Sequence, residues 1–164
     1  CTFPLLWAAF IGAAWFSQTA ELTWLGQLGL VLSTGVIGGF CINLGHEIGH
    51  KRAPLERWLA KLILAPTFYG HFTIEHNRGH HRDVATPQDP ASSRMGESVW
   101  RFVWREMPGA FRRAWALERA RMRTDGQPFW SLHNELLQPA LITLALWTAL
   151  VVWLGPQEIG RAHV

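Results

Sequence analysis

The stretch "LTWLGQLGLVLSTGVIGGFCINL", residues 22–44, holds no charged side chain, and "GHEIGHK", residues 45–51, follows it directly. Its length exceeds the ~20 residues that a helix needs to cross a bilayer core. Gly26, Gly29, Gly35, Gly38 and Gly39 would let neighbouring helices approach closely, as in membrane bundles. A soluble fold would have to surround this run with apolar groups on every side. The reading that follows is a membrane span ending in histidines.

Residues upstream and downstream repeat the pattern. Between Cys1 and Ala20 there is again no charge, and Ala8, Ala9, Gly12, Ala13 and Ala14 suit close helix packing. A first span is expected at about 3–19, a polar break at "SQTAE", and a return span at 22–45. A third uncharged run, 136–154, contains Trp147 and Trp153 and reads as a further span. "WLAKLILAPTFYGHF", residues 58–72, is apolar but too short to cross, and Pro66 and Gly70 would interrupt a helix, so a short or re-entrant segment is expected. "DVATPQDPASSRM", residues 83–95, is loop. In "ESVWRFVWREMPGAFRRAWALERARMR", residues 97–123, helical spacing puts Val99, Trp100, Val103, Trp104 and Met107 on one side and Arg101 and Arg105 on another. Such a helix suits the membrane interface. The fold class is thus an all-α integral membrane protein, a transmembrane helix bundle with histidine-bearing helix ends and an interfacial amphipathic helix.

Charge placement supplies an orientation. Of the 15 Lys and Arg residues, 14 fall between Lys51 and Arg123, with 7 of the 12 acidic residues. The positive-inside rule puts this block in the cytoplasm, so 73–133 reads as a cytoplasmic block. A nucleic-acid reading is excluded, because the basic residues are interleaved with Trp and Leu and form no reading motif. Cys1 and Cys41 show no C-x-x-C spacing, which implies neither a disulfide framework nor a thiolate metal site. There is no basic start or cleavage site of a signal peptide, and a chain beginning at Cys in an apolar run is expected to be truncated at its front.

Of eight histidines, five form two groups: His46 and His50, then His76, His80 and His81 in "EHNRGHH". Neutral imidazole offers a lone pair at physiological pH, and histidines four apart on a helix share a face. At ~100° per residue, His81 would turn away from the ion its neighbours face if the segment is α-helical, so two metal ions fit better than one. His46-Glu47-x-x-His50 also matches the zinc-protease pattern, with Glu47 as general base. That reading needs one further ligand and leaves the second group without a use. A histidine-rich transporter would place histidines or acids within the spans, and 3–20 and 22–44 contain none. His71 is expected to make a polar contact at the membrane interface, and His133 is assigned no role.

These residues resemble the integral-membrane alkane 1-monooxygenases, a histidine-box di-iron class that also includes membrane desaturases and xylene monooxygenases. "GHEIGHK" resembles the first box, "EHNRGHHRDVATPQDPASSRMGES" the second box with its following loop, and "NELLQP" a later segment. Desaturases show a three-residue step before their paired histidines, whereas His76 to His80 is four, which favours the hydroxylase branch. The resemblance implies that His46, His50, His76, His80 and His81 are iron ligands, that Glu47 and Glu75 support imidazole N–H groups or form ion pairs with Lys51 or Arg78, and that no catalytic group is needed beyond the metal centre. It implies two non-haem iron ions, with no flavin or haem in this chain. The implied reaction is terminal hydroxylation of medium- and long-chain alkanes with O2 and two electrons from rubredoxin, itself served by rubredoxin reductase, in the inner membrane of a bacterium. The basic helix 101–123 is a candidate dock for that donor, with positive-inside anchoring at the membrane the favoured role. The alternatives are another histidine-box oxygenase, a fatty-acid desaturase, or a membrane zinc metalloprotease.

The family's later histidine boxes have no counterpart here, so residues 1–157 are expected to be a fragment of one hydroxylase domain, inactive alone. "EIGRAHV", residues 158–164, breaks the apolar pattern, and one permitted back-translation of it matches a short-read sequencing adapter. A non-native tail is expected there, and His163 is not counted as a ligand.

Overall fold

The computed structural model describes residues 2–155; Cys1, the expected tail and His163 lie outside the described residues. Helix α1 (Thr2–Thr19) and α2 (Trp24–Gly49) form an antiparallel hairpin. The Thr23 hydroxyl accepts the Gly26 N–H at 3.3 Å and starts α2. At 1.5 Å per residue, its 26 residues span roughly 39 Å, more than a bilayer core of ~30 Å, so its last turns project beyond one. Those turns carry His46.

Pro54 opens α3 (Pro54–Leu64), where its missing N–H costs nothing. A 3-10 turn, Ala65–Thr67, and a left-handed Phe68 end it, so residues 54–68 fold as a short helix and turn packed on α2. Next come α4 (Phe72–Glu75), a π turn (His76–His80) and α5 (His81–Asp83). After a loop, α6 (Val99–Thr124) starts at Ser98, whose hydroxyl accepts the Arg101 N–H at 3.4 Å. Finally, α7 (Leu137–Leu154) runs back along α3 and the 3-10 turn. No strand occurs among the described residues.

Packing divides into two clusters. Cys41, Ile63 and Leu64 are fully buried where α1, α2 and α3 meet, with Leu6, Trp7 and Phe72 against them. Ile74, Ala114 and Leu136 form a second cluster, joining α4 and α6 to the start of α7. Outside these junctions the long apolar helices face outward. Only 6% of the apolar window of α2 and 17% of that of α7 are buried, which distinguishes them from core helices of a soluble protein. Their outward Leu, Val and Trp side chains need lipid as solvent. Both are long and apolar enough to cross a membrane. Helix α1 has the length and no charge, with more polar ends, and packs on α2 and α7.

Helix α6 has two halves. Val99, Trp100, Val103, Trp104 and Met107 are exposed, whereas Ala110, Ala114, Glu118 and Met122, spaced by four, form the buried stripe of the second half. Pro108 lies between, and its lack of an N–H removes one helical hydrogen bond there.

Candidate metal centre

Two elements deliver the five histidines. Because α2 stays helical beyond its apolar run, His46 and His50 project from one face, with their Nε2 atoms 3.0 Å apart. The second group stands on a turn of wider pitch. Over His76–His80 the backbone is π-helical, and the His81 N–H bonds to the His76 carbonyl five residues back. On an α-helix His81 would sit ~140° from His76, but a π turn brings residue i+5 close to the face of residue i. The His81 Nε2 thus lies 3.0 Å from the His76 Nε2. The expectation that His81 turns away rested on α-helical geometry, and the π turn overturns it.

All five rings meet in one cluster. The His76 Nε2 is 3.3 Å from the His50 Nε2, the His46 and His76 ring centres are 4.5 Å apart, and those of His50 and His81 are 5.0 Å apart. His80 stacks on His76 at 5.3 Å. Phe72 stacks on the same ring at 4.8 Å, giving the cluster an apolar wall. The Asn77 amide donates to the Gly49 carbonyl at 2.9 Å and ties the π turn to the end of α2.

This donor set fits a metal. His76 Nε2 faces two other Nε2 atoms at once, and one nitrogen with a single lone pair or a single N–H cannot satisfy both. A cation among the lone pairs can. Two nitrogens bound at ~2.1 Å and at right angles would stand roughly 3 Å apart, close to the separations seen. Nitrogens of His46, His50 and His76 all lie within 4.8 Å of one another. Burial, and then the imidazoles around it, push His76 down to about 4, and His50 also falls below its ordinary value, first through burial. The neutral imidazole thus favoured at His76 is the form whose lone pair can bind a metal.

The flanking carboxylates differ in what they touch. Glu47 is exposed and has no hydrogen-bond or ion-pair partner among the described residues. Glu75 is buried, faces Arg113 at 3.6 Å, and leaves its Oε1 without a hydrogen bond; burial pushes its carboxyl up while Arg113 pulls it down. Arg78 pairs with Glu118 at 3.0 Å and with Glu135, not with either of them. His71 makes no polar contact through its buried Nε2; it lies against Tyr69 and Phe111 and lines an apolar cavity of about 320 Å³ with Phe68, Trp115, Ala140 and Leu144. The polar contact expected for His71 is replaced by this apolar setting, which pushes its pKa down to about 4.

The carboxylate that does touch a box histidine is Asp89, whose Oδ2 is 2.8 Å from the His80 Nδ1. Hydrogen bonds from Ser92, His80 and Ala91 outweigh its burial and hold its carboxyl below the ordinary value. Arg113 spans Asp89, Asp83, Glu75 and the Gly79 carbonyl. Sequence reading missed both residues. The only signal for Asp89 was an acid beside proline, nine residues after His80, and loop residues carry no periodicity that assigns a neighbour.

The model of the fatty acid desaturase family matches residues 22–157. The chain is 53% identical over 158 residues to the alkane 1-monooxygenase of Pseudomonas putida, covering 96% of the chain and 39% of that relative. It is 53% identical over 155 residues to alkane 1-monooxygenase 1 of Alcanivorax borkumensis, covering 94% and 38%. To the xylene/toluene monooxygenase hydroxylase component XylM of Pseudomonas putida it is 32% identical over 139 residues, covering 83% and 37%. The chain spans about two fifths of the length of these curated relatives.

Proposed function

The chain belongs to the fatty acid desaturase family, and from that premise we propose that it carries part of the iron site of a membrane alkane 1-monooxygenase, which converts the terminal methyl group of medium- or long-chain alkanes to a primary alcohol. The observation that carries this reading is the convergence of His46, His50, His76, His80 and His81 at the membrane end of α2. The similarity to curated alkane monooxygenases supports the reaction class.

In this reading the five imidazoles hold non-haem iron, two ions in all, with further donors required because five nitrogens leave two ions incompletely ligated. Bound iron supplies activation of O2 for insertion into an unactivated C–H bond. The chain's own residues do the rest. The end of α2 and the π turn fix two ligand groups, Asn77 keeps them in register, and the Phe72 wall limits water beside His76. The apolar cavity lined by His71 and Leu144 offers the kind of surface an alkane requires.

Residues 1–157 form part of one domain, with its histidine side in the cytoplasm by the positive-inside rule and the first half of α6 at the lipid interface. We assign the supply of the two electrons to an external donor, rubredoxin served by its reductase.

The test is expression of the full-length protein with rubredoxin and its reductase in a host without alkane hydroxylase. Production of 1-octanol from octane is expected, together with bound iron, and both should be lost in His50→Ala and His76→Ala. Zinc at one ion per chain, with peptidase activity lost on Glu47→Gln, would replace this reading with the protease.

A further inference from the structure

We propose that Asp89 is the positioning residue for His80: it accepts the Nδ1–H of the ring and so fixes the ring with its Nε2 lone pair free for a metal. This rests on the reading of the histidines as metal ligands.

The Asp89 side chain is fully buried, yet each of its oxygens is occupied. Oδ2 faces the His80 Nδ1 at 2.8 Å and accepts the Ser92 hydroxyl at 2.5 Å. Oδ1 accepts the Ala91 N–H at 3.0 Å and an Arg113 N–H at 3.3 Å. An ionised carboxylate can only accept, so the ring nitrogen facing it must be the one that carries hydrogen. In a neutral imidazole that leaves Nε2 as the ligating atom, the tautomer that an outer carboxylate selects in metal sites.

The loop holds Asp89 in place without help from His80. Arg105 donates to the Pro90 carbonyl at 2.9 Å and to the Ser92 carbonyl at 3.0 Å, and binds Glu97 through two nitrogens. Gly109 lets the loop lie directly on α6, since a Cβ there would stand 2.8 Å from the Pro90 Cβ. The carboxylate is thus presented to His80 from a platform built by α6. A loop staple would need no contact with the ring; the contact orients the ring.

Nitrogen-15 NMR of the metal-free full-length protein in detergent, labelled at histidine and assigned with His80→Gln, reads the tautomer directly. His80 protonated at Nδ1 is expected; protonation at Nε2 overturns the proposal. In the iron-loaded protein, Asp89→Asn should release iron to a competing chelator with roughly 10- to 100-fold weaker apparent affinity, and Asp89→Glu should recover part of the loss. Iron held by Asp89→Asn as tightly as by the wild type overturns the role of Asp89 and leaves the metal centre standing. A wild type that retains no iron overturns the metal centre itself. If Asp89→Asn does not fold, the wild-type tautomer decides.

Discussion

At the scale of single residues, the site depends on side chains that are small as much as on those that bind. Gly79 lies within the π turn, and a Cβ there would stand 2.9 Å from the Glu75 Oε1 and 3.0 Å from the Arg113 Nε. Arg113 cannot step aside easily, because it also binds the Gly79 carbonyl at 3.0 Å, Asp89 and Asp83. Gly79→Ala is therefore expected to destabilise the fold by about 1–3 kcal/mol, the usual range for overpacking, measured as a lowered denaturation midpoint in detergent; an unchanged midpoint would show that Arg113 has room to move. The identities of the five clustered histidines were legible from sequence, since two of their spacings are helical. Asp89 was not legible, because its contact with His80 depends on how a loop returns across α6.

Elements decide which way those residues face. Helix α2 is continuous through Gly49, so the first histidine pair inherits its phase from the membrane span. The second group inherits its phase from one π turn, a change of pitch that nothing in "EHNRGHH" announces, since the same letters would be read as ordinary helix. Here sequence periodicity gave the wrong direction for His81 because it presumes 3.6 residues per turn. The membrane reading of α2 can be tested on the helix itself. Val36 lies at its middle and is 61% exposed. Val36→Arg should cost about 3–4 kcal/mol of insertion free energy, read as a reduced inserted fraction in a glycosylation-reporter assay; insertion at the wild-type level would contradict a lipid-facing span. The exposed Trp100 and Trp104, at 76% and 82%, present a different surface from the small-residue stripe that follows Pro108, so one helix carries an outward aromatic face and also packs on the site.

For the whole molecule, a layer of ion pairs joins α6 to everything below the spans. Glu118 is fully buried and binds Arg121, Arg78 and the Glu135 N–H, so α6, the π turn and the approach to α7 share one carboxylate. Glu97 clasps Arg105 with both oxygens and accepts the Arg94 N–H, which brings it down to about 2. Glu118 also lies below its ordinary value, since its burial is outweighed by Arg121, the Glu135 N–H and Arg78. Carboxyls lowered by folding add stability that is complete above their unfolded value, 4.5 for Glu97, and is lost as pH falls towards the folded value. The thermal midpoint of the metal-free protein should accordingly fall between about pH 4.5 and 2 while far-UV helical signal persists, and Glu97→Gln should flatten that slope. A midpoint independent of pH over this range would exclude the ion-pair layer as a source of stability.

What the sequence determined by itself was the environment and the donor inventory: uncharged runs long enough for lipid, a basic block outside them, and imidazoles at helical spacing. Those properties are local, set by composition and by the pitch of a helix. Only the tertiary structure decided that both histidine groups meet at one point, that a π turn swings His81 beside His76, and that Asp89 on a loop seated against α6 faces His80. Each of these depends on contacts between residues far apart in the chain, whose free energy is gained only once the backbone has brought them together.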